Sequence, residues 1–305
     1  MLYRRHLRVG AFFVPMTLVR RSPCKVNLLL NVLGRRSDGF HELETVLQPV
    51  PLADELTFEA KQRGVELSCS HPALPTGPEN LVHRAAAAFF TASAIKAGVR
   101  IHLDKRVPIA AGLGGGSSNA AHTLVGLNEL FDLPLPATRL VELAASLGSD
   151  VPFFLQARPA LGIGRGEQVR ALEPFAALRG AGMLLIHPGF GISTPWAYQQ
   201  LARFPQVLNG EAGRADHLIR SLNSLDLPTA GREFYNSLEA PAFRKYPLLA
   251  MFQDFLREQG ATVTLMSGSG STTFALATGK EAAENLRQKF LGRFGASHWT
   301  ETVEL

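Results

Sequence analysis

Apolar and polar positions recur along this chain with the two periods that mark strands and helices. Lys25 to Leu33, K-V-N-L-L-L-N-V-L, reads as a strand bounded by Ser22-Pro23 and Gly34. Its polar members Lys25, Asn27 and Asn31 all fall on odd positions, which predicts one shared face. A lysine and two asparagines in an apolar run leave two explanations open: an edge strand with one wet face, or a cleft lined with polar groups. Leu56 to Ala60 and Val65 to Ser70 predict two further strands. Asn80 is placed to cap a helix running to about Lys96, with Gly98 as its stop. Val99 to Asp104 sets Val99, Ile101 and Leu103 against Arg100, His102 and Asp104, the alternation of a half-buried strand.

That strand feeds, through Lys105-Arg106-Val107-Pro108, into P-I-A-A-G-L-G-G-G-S-S-N-A-A-H, Pro108 to His122. Gly112, Gly114, Gly115 and Gly116 strip the Cβ atoms from a short loop around Leu113, so backbone N–H groups can approach a bulky anion. Ser117, Ser118 and Asn119 are N-cap candidates for a helix whose apolar stripe runs through Ala120, Leu124, Leu127 and Phe131. A glycine loop opening a helix makes a phosphate cradle, because first-turn N–H groups lack internal partners and point out of the positive dipole end. The stretch is neither G-x-x-x-x-G-K-[ST] nor G-x-G-x-x-G. Lys105 and Arg106 stand where they can meet phosphate.

Phe40 and His41 follow the turn signal Asp38-Gly39, an aromatic and a titratable ring offered together. Leu140 to Leu147 predicts a helix ended by Gly148, and Asp150 then stands between that terminus and the apolar run Val151 to Leu155. By position alone it is a turn or cap residue. A second domain is expected to begin at about Glu173. Met183 to Ile186 reads as a buried strand, Phe243 to Gln259 as a helix closed by Gly260, and Thr262 to Met266 and Thr273 to Ala277 as strands. The two strands flank a second small-residue loop, S-G-S-G-S, Ser267 to Ser271. A helix from Lys280 and a strand from Trp299 to Val303 complete an α+β tail.

Composition narrows the function classes. The 305 residues, 46% hydrophobic and 19% charged, suit a globular chain of two domains. A net charge of +5 favours anionic partners, but no basic run with interleaved aromatics points to nucleic acid. Cys24 and Cys69 form no C-x-x-C or metal-spaced cluster, so reduced thiols in the cytoplasm are expected and no metal ligand is assigned. Residues 1–21 carry five arginines around a short apolar patch, too brief for a signal peptide or membrane span. They are read as a disordered N-terminal extension, with Met16 as an alternative start.

Three stretches in order, S-P-C-K-V-N, P-I-A-A-G-L-G-G-G-S-S-N and M-S-G-S-G-S, resemble the galactokinase, homoserine kinase, mevalonate kinase and phosphomevalonate kinase (GHMP) superfamily. G-R-R-S-D-G-F-H-E-L-E-T-V-L-Q and G-S-D-V-P-F-F resemble its branch acting on a cytidine-diphosphate-linked methylerythritol, in the non-mevalonate isoprenoid pathway. The resemblance implies an α+β two-domain fold: an ATP-binding, ribosomal-protein-S5-domain-2-like domain over 22–172 and a ferredoxin-like domain over 173–305. It implies ATP and Mg²⁺ as reactants, a cytidine diphosphate alcohol as acceptor, and a monomer or weak homodimer.

It also implies roles. Asp150 matches the base that takes the proton of the attacking hydroxyl, and Lys25 its partner. Lys105, Pro108 and the stretch from Gly112 to Asn119 match the ATP side. Asn27 and His41 match positions facing the cytidine diphosphate, Phe40 and Tyr198 are placed to sandwich the base, and Thr194 lies in the matching P-G-x-x-x-x-T-P segment. Gly268, Ser269 and Gly270 match the loop that closes over the reacting centre. Phe40 stands where the branch commonly has Tyr, and Ala110 and Ala111 stand where glycines are frequent. A homoserine- or mevalonate-type kinase, or a non-catalytic nucleotide sensor, are the alternatives.

Overall fold

The computed structural model describes residues 17–156, 158–224 and 226–305. Strands β1 (Thr17–Arg35), β2 (His41–Lys61), β3 (Gly64–Cys69), β4 (Gly98–Asp104), β5 (Ala160–Gly164) and β6 (Gln168–Ala171) come first. They are followed by β7 (Gly182–His187), β8 (Tyr235–Asn236), β9 (Val263–Met266), β10 (Thr273–Ala277) and β11 (Trp299–Glu304). The helices are α1 (Leu81–Ser93), α2 (Gly115–Leu130), α3 (Ala137–Leu147), α4 (Thr194–Gln200), α5 (Pro205–Leu208), α6 (Arg214–Ser224) and α7 (Leu227–Ala230). The last three are α8 (Glu239–Lys245), α9 (Pro247–Glu258) and α10 (Lys280–Phe294).

One sheet runs β3-β4-β2-β1-β8, with β5 joined to β2 and β6 to β5. The other runs β11-β7-β10-β9, antiparallel throughout. That order, with α9 and α10 as crossovers, is the β-α-β-β-α-β pattern of a ferredoxin-like sheet. Alternation along β7 explains its two-sided burial. Leu184 and Ile186 pack with Phe252 and Phe290 from α9 and α10. Met183 and Leu185 join Val26 and Leu29 of β1 in a core shared by both sheets. Phe58, Phe89, Ile101, Leu124 and Phe153 form a separate core between the first sheet and α1 to α3.

Long strands need bends, and β1 carries register irregularities at Pro23/Cys24, Asn27/Leu29 and Val32/Gly34. The one at Leu28 corrects the expectation that Lys25, Asn27 and Asn31 share a face. An extra residue reverses the alternation, so Leu30 joins Lys25 and Asn27 in lining the cleft. Asn31 instead bonds Glu44 Oε1 and the Glu211 carbonyl. Three other expectations are corrected. Residues 17–21, expected in the extension, pair in β1 with Glu55 to Glu59, while 1–16 and the alternative start at Met16 lie outside the described residues. Helix α1 stops at Ser93 with Ala94 left-handed, and Gly98 begins β4, where a Cβ would overlap the Arg63 and Gly64 backbone. Phe243 to Gln259 is broken at Tyr246, because Pro247 disfavours a helical residue before it and opens α9 at its own first turn.

Candidate active site

A cavity of ≈ 630 Å³ is lined by β1, the glycine stretch, the turn after α3, and the loops before α4 and after β9. The glycine stretch is positioned by backbone bonds that only bare backbone permits. Gly112 has φ +78°, and a Cβ there would overlap the Ser267 carbonyl oxygen. Gly114 has φ +68°, and its Cβ would come within 2.8 Å of Phe154 and 3.1 Å of the Lys25 side chain. Gly114, not a serine or asparagine, is the cap of α2, with no side-chain bond. The N–H groups of Gly115, Gly116 and Ser117 thus open the helix, and no acidic residue in the first turn opposes an anion.

The expected capping residues have other tasks. Ser118 Oγ donates to the Pro23 carbonyl at 2.6 Å, and its buried side chain does not line the cavity. Asn119 Nδ2 donates to Ser22 Oγ and Asp54 Oδ2, both at 2.9 Å. Asp54, which no motif in the sequence marks, is wholly buried. Its carboxylate accepts from Lys105 Nζ at 2.6 Å and from the Arg106 and Val107 N–H groups at 2.8 Å. Lys105 Nζ lies 3.1 Å from where a Cβ on Gly115 would stand, at the mouth of the helix. Arg106 turns outward to Asp104 and does not line the cavity.

Lys25 Nζ is almost wholly buried and donates to Asn27 Oδ1 at 2.6 Å and to the Gly112 carbonyl at 3.0 Å. Asp150 Oδ2 stands 3.8 Å away on a side chain that is 45% exposed. Burial pulls the Lys25 ammonium below the usual lysine range, and the Asp150 charge resists that pull. Asn27 passes the chain of bonds on to Thr45 Oγ1 at 2.8 Å. A Cβ on Gly268 would meet Asn27 Oδ1 at 3.2 Å and Lys25 Nζ at 3.3 Å, so the second small-residue loop closes over this pair. Ser269 and Thr194 share a 2.8 Å hydrogen bond across the rim, whereas Gly270 packs inward on Met266 and Ile192.

A second cavity of ≈ 490 Å³ shares Leu43, Asp150, Arg165, Thr194, Pro195 and Tyr198 with the first. Phe40 and His41 line its far side. Phe40 and Tyr198 both line this cavity; Tyr198 faces His41, ring centroids 5.1 Å apart, and Arg165 covers Phe40 at 4.6 Å. The Asp38-Gly39 turn offers Phe40 to solvent at 53% exposure, and a guanidinium is drawn to such an open ring face. Burial and Arg35 hold His41 below the usual histidine range, so it is neutral near pH 7 and offers one donor and one acceptor. Burial, with Asp150 adding to it, raises the Tyr198 hydroxyl above its usual value. The only sequence signal for Arg165 is the run L-G-I-G-R-G, glycine-rich around a single cation.

Among the described residues no three His, Cys, Asp or Glu side chains cluster as a metal cage. Mg²⁺ in phosphoryl-transfer sites keeps waters and substrate phosphates and needs only one or two protein oxygens. Glu79, Ser117 and Asp150 on the cavity wall fit that need.

The GHMP kinases N terminal domain model matches residues 80–158 and the GHMP kinases C terminal model residues 218–296. A 4-diphosphocytidyl-2-C-methyl-D-erythritol kinase of Pelotomaculum thermopropionicum is 40% identical over 276 residues, 90% of this chain and 94% of that relative. The crystal structure of a 4-(cytidine 5'-diphospho)-2C-methyl-D-erythritol kinase is 35% identical, with a TM-score of 0.76 over 94% of this chain and 100% of that one. A homoserine kinase from Cytophaga hutchinsonii, at 20% identity and a TM-score of 0.72 over 98% and 96%, shares the fold.

Proposed function

This chain belongs to the 4-diphosphocytidyl-2-C-methyl-D-erythritol kinase family of the GHMP kinases, and on that ground we propose how its cleft moves a phosphoryl group. It is an ATP-dependent kinase that phosphorylates the 2-hydroxyl of 4-diphosphocytidyl-2-C-methyl-D-erythritol, a step of isoprenoid biosynthesis. The observation that carries the assignment of roles is the Lys25–Asp150 pair, in which Lys25 lines the larger cavity and Asp150 the wall that both cavities share.

In this reading the N–H groups at the start of α2, with Lys105, hold the ATP phosphates in the larger cavity. Phe40, His41 and Tyr198 hold the cytosine end in the smaller one, His41 reading the base edge and Arg165 neutralising the diphosphate. The tertiary hydroxyl then lies beside Asp150, whose exposed carboxylate accepts its proton as the oxygen attacks the γ-phosphorus in line with the departing ADP. The Lys25 ammonium faces Asp150 at 3.8 Å and stabilises the developing alkoxide. Asn27 and Gly112 fix the ammonium at that spot, and Gly268 closes it from water. Glu79, Ser117 or Asp150 would supply the protein oxygens for Mg²⁺, which would contribute neutralisation of phosphate charge. Residues 22–172 form the ATP-binding unit in this scheme and 173–305 the closing one. The described residues contain no helix long and apolar enough to cross a membrane, and we place the enzyme in the cytoplasm as a monomer or weak homodimer.

The test is ADP release from ATP and Mg²⁺ with the cytidylated alcohol, homoserine and mevalonate offered separately. Turnover is expected with the first alone. Asp150→Asn is expected to bind both substrates and lose about 10²- to 10⁴-fold in kcat, the span of a positioned general base. Near-wild-type turnover in that variant would show that another group takes the proton.

A further inference from the structure

Helix α4 and the turn after it divide their side chains between two cavities. Thr194, Tyr198 and Gln199 face the alcohol cavity described above. Trp196 and Gln200, four residues apart and so on one helical face, line a separate cavity of ≈ 320 Å³ with Arg203, Phe204, Arg244 and Lys245. No part of the phosphoryl-transfer scheme uses this third cavity.

Its chemistry is specific in two ways. Three cations converge on it, and the ion pairs and side-chain hydrogen bonds among the described residues include none of the three. Like charges held together repel unless an anion joins them, which makes such a cluster selective for negative charge. The cations rest on aromatic faces: Lys245 Nζ lies 4.2 Å from the Trp196 ring centroid and 5.1 Å from that of Tyr246, and the Arg244 guanidinium 6.0 Å from that of Phe204. Rings and forked cations in one recess match a ligand that is part flat and apolar, part phosphate.

We propose that this recess is a second ligand site, separate from the cleft, for a small organic phosphate bearing a planar ring, the class of a nucleoside monophosphate. Arg203, Arg244 and Lys245 bind the phosphate, and Trp196 and Phe204 take the ring. The site is mechanically joined to the cleft. Trp196 packs edge-on against Tyr246, Tyr246 against Phe190 with centroids 4.8 Å apart, and the Phe190 carbonyl accepts from Ser271 of the second small-residue loop. An occupant therefore bears on both Tyr198 and the loop over Lys25, and the KM for the alcohol substrate is expected to respond to it.

The chain has two tryptophans, so Trp299→Phe leaves Trp196 as the sole indole reporter. With the cleft filled by a non-hydrolysable ATP analogue and cytidine diphosphate, AMP is titrated against Trp196 fluorescence in the full-length protein. A saturable change is expected, weakened at least about tenfold by Arg203→Glu and by Lys245→Glu, the scale of a lost charge-assisted bond. Both variants are expected to keep wild-type kcat in ADP release, which separates a lost site from a lost fold. A linear, unsaturating response, or a saturable one that both variants leave unchanged, would overturn the site. Inorganic phosphate binding as tightly as AMP would overturn the planar-ring class.

Discussion

The two small-residue loops over this active site have similar compositions and opposite physics. The first, Gly112 to Gly116, ends in a helix and presents bare N–H groups to a cavity. The second, Ser267 to Ser271, joins two strands and is held from behind. Asn236 Nδ2 donates to the Met266 and Gly268 carbonyls at 2.7 and 2.8 Å, and Glu239 Oε1 accepts from the Met266 N–H at 2.8 Å. Its groups are mostly satisfied by the protein, leaving Ser269 and the edge of Gly268 to face the cleft. A glycine-rich string therefore supplies a ligand cradle only where its neighbours leave the backbone donors unpaired; elsewhere it is a close-packed clasp.

The largest blow to both loops is expected from Gly112→Ala, because the two meet at that residue. Gly112 O accepts from Lys25 Nζ and Ser267 Oγ, and the new methyl would occupy the place of the Ser267 carbonyl. A loss of about 2–4 kcal/mol in urea denaturation is expected, from overpacking and a left-handed alanine together, with turnover lost as Lys25 is displaced. Wild-type stability in this variant would mean that the loops are not interlocked.

Glu239→Gln probes the clasp alone. Burial raises the Glu239 carboxyl from its ordinary 4.5 to about 7, against the bonds from Gln253 and Met266 and the charge of Arg257. A carboxyl raised on folding contributes most stability below its unfolded pKa and loses that contribution as pH rises through 4.5 to about 7. Glutamine keeps the acceptor oxygen and carries no charge. The variant is expected to be more stable than wild type by about 1–3 kcal/mol at pH 8, the gap closing towards pH 4.5 in thermal melts at a series of pH values. A gap independent of pH would remove the ionised carboxylate from the account.

Gly116→Ala probes the cradle alone and gives the smallest change. Nothing lies nearer to its Cβ position than Leu81 Cδ1 at 3.7 Å, so the fold has room for it. Alanine in a helix is expected to add about 0.5–1 kcal/mol of stability. The same methyl crowds the proposed phosphate position, and the KM for ATP is expected to rise about three- to tenfold, the scale of one bent hydrogen bond. An unchanged KM would move the phosphates away from this turn.

Legibility in the sequence followed the range of the forces involved. The alternation in Val99 to Asp104 and the strand, helix and strand order after Thr262 depend on local burial and neighbouring residues, and they reappear as β4, β9, β10, α10 and β11. The break at Tyr246 is also local, written in Pro247, although the apolar stripe continues across it. Asp54 was different. Nothing beside Ala53 and Glu55 announces that its carboxylate is wrapped by Lys105, Val107 and Asn119, groups at least 51 residues away.

By itself, then, the sequence determined the periodicities, the glycine loop that opens a helix, and the string of motifs that resembles a family of kinases. Only the tertiary structure decided which polar residues meet. The irregularity at Leu28 turned Asn31 away from Lys25 and Asn27, and the turn after α3 brought Asp150 to within 3.8 Å of Lys25 across 125 positions of chain. The division has one physical cause: periodicity is encoded by neighbours, whereas the register of a bent strand and the closing of a cleft depend on how distant surfaces pack.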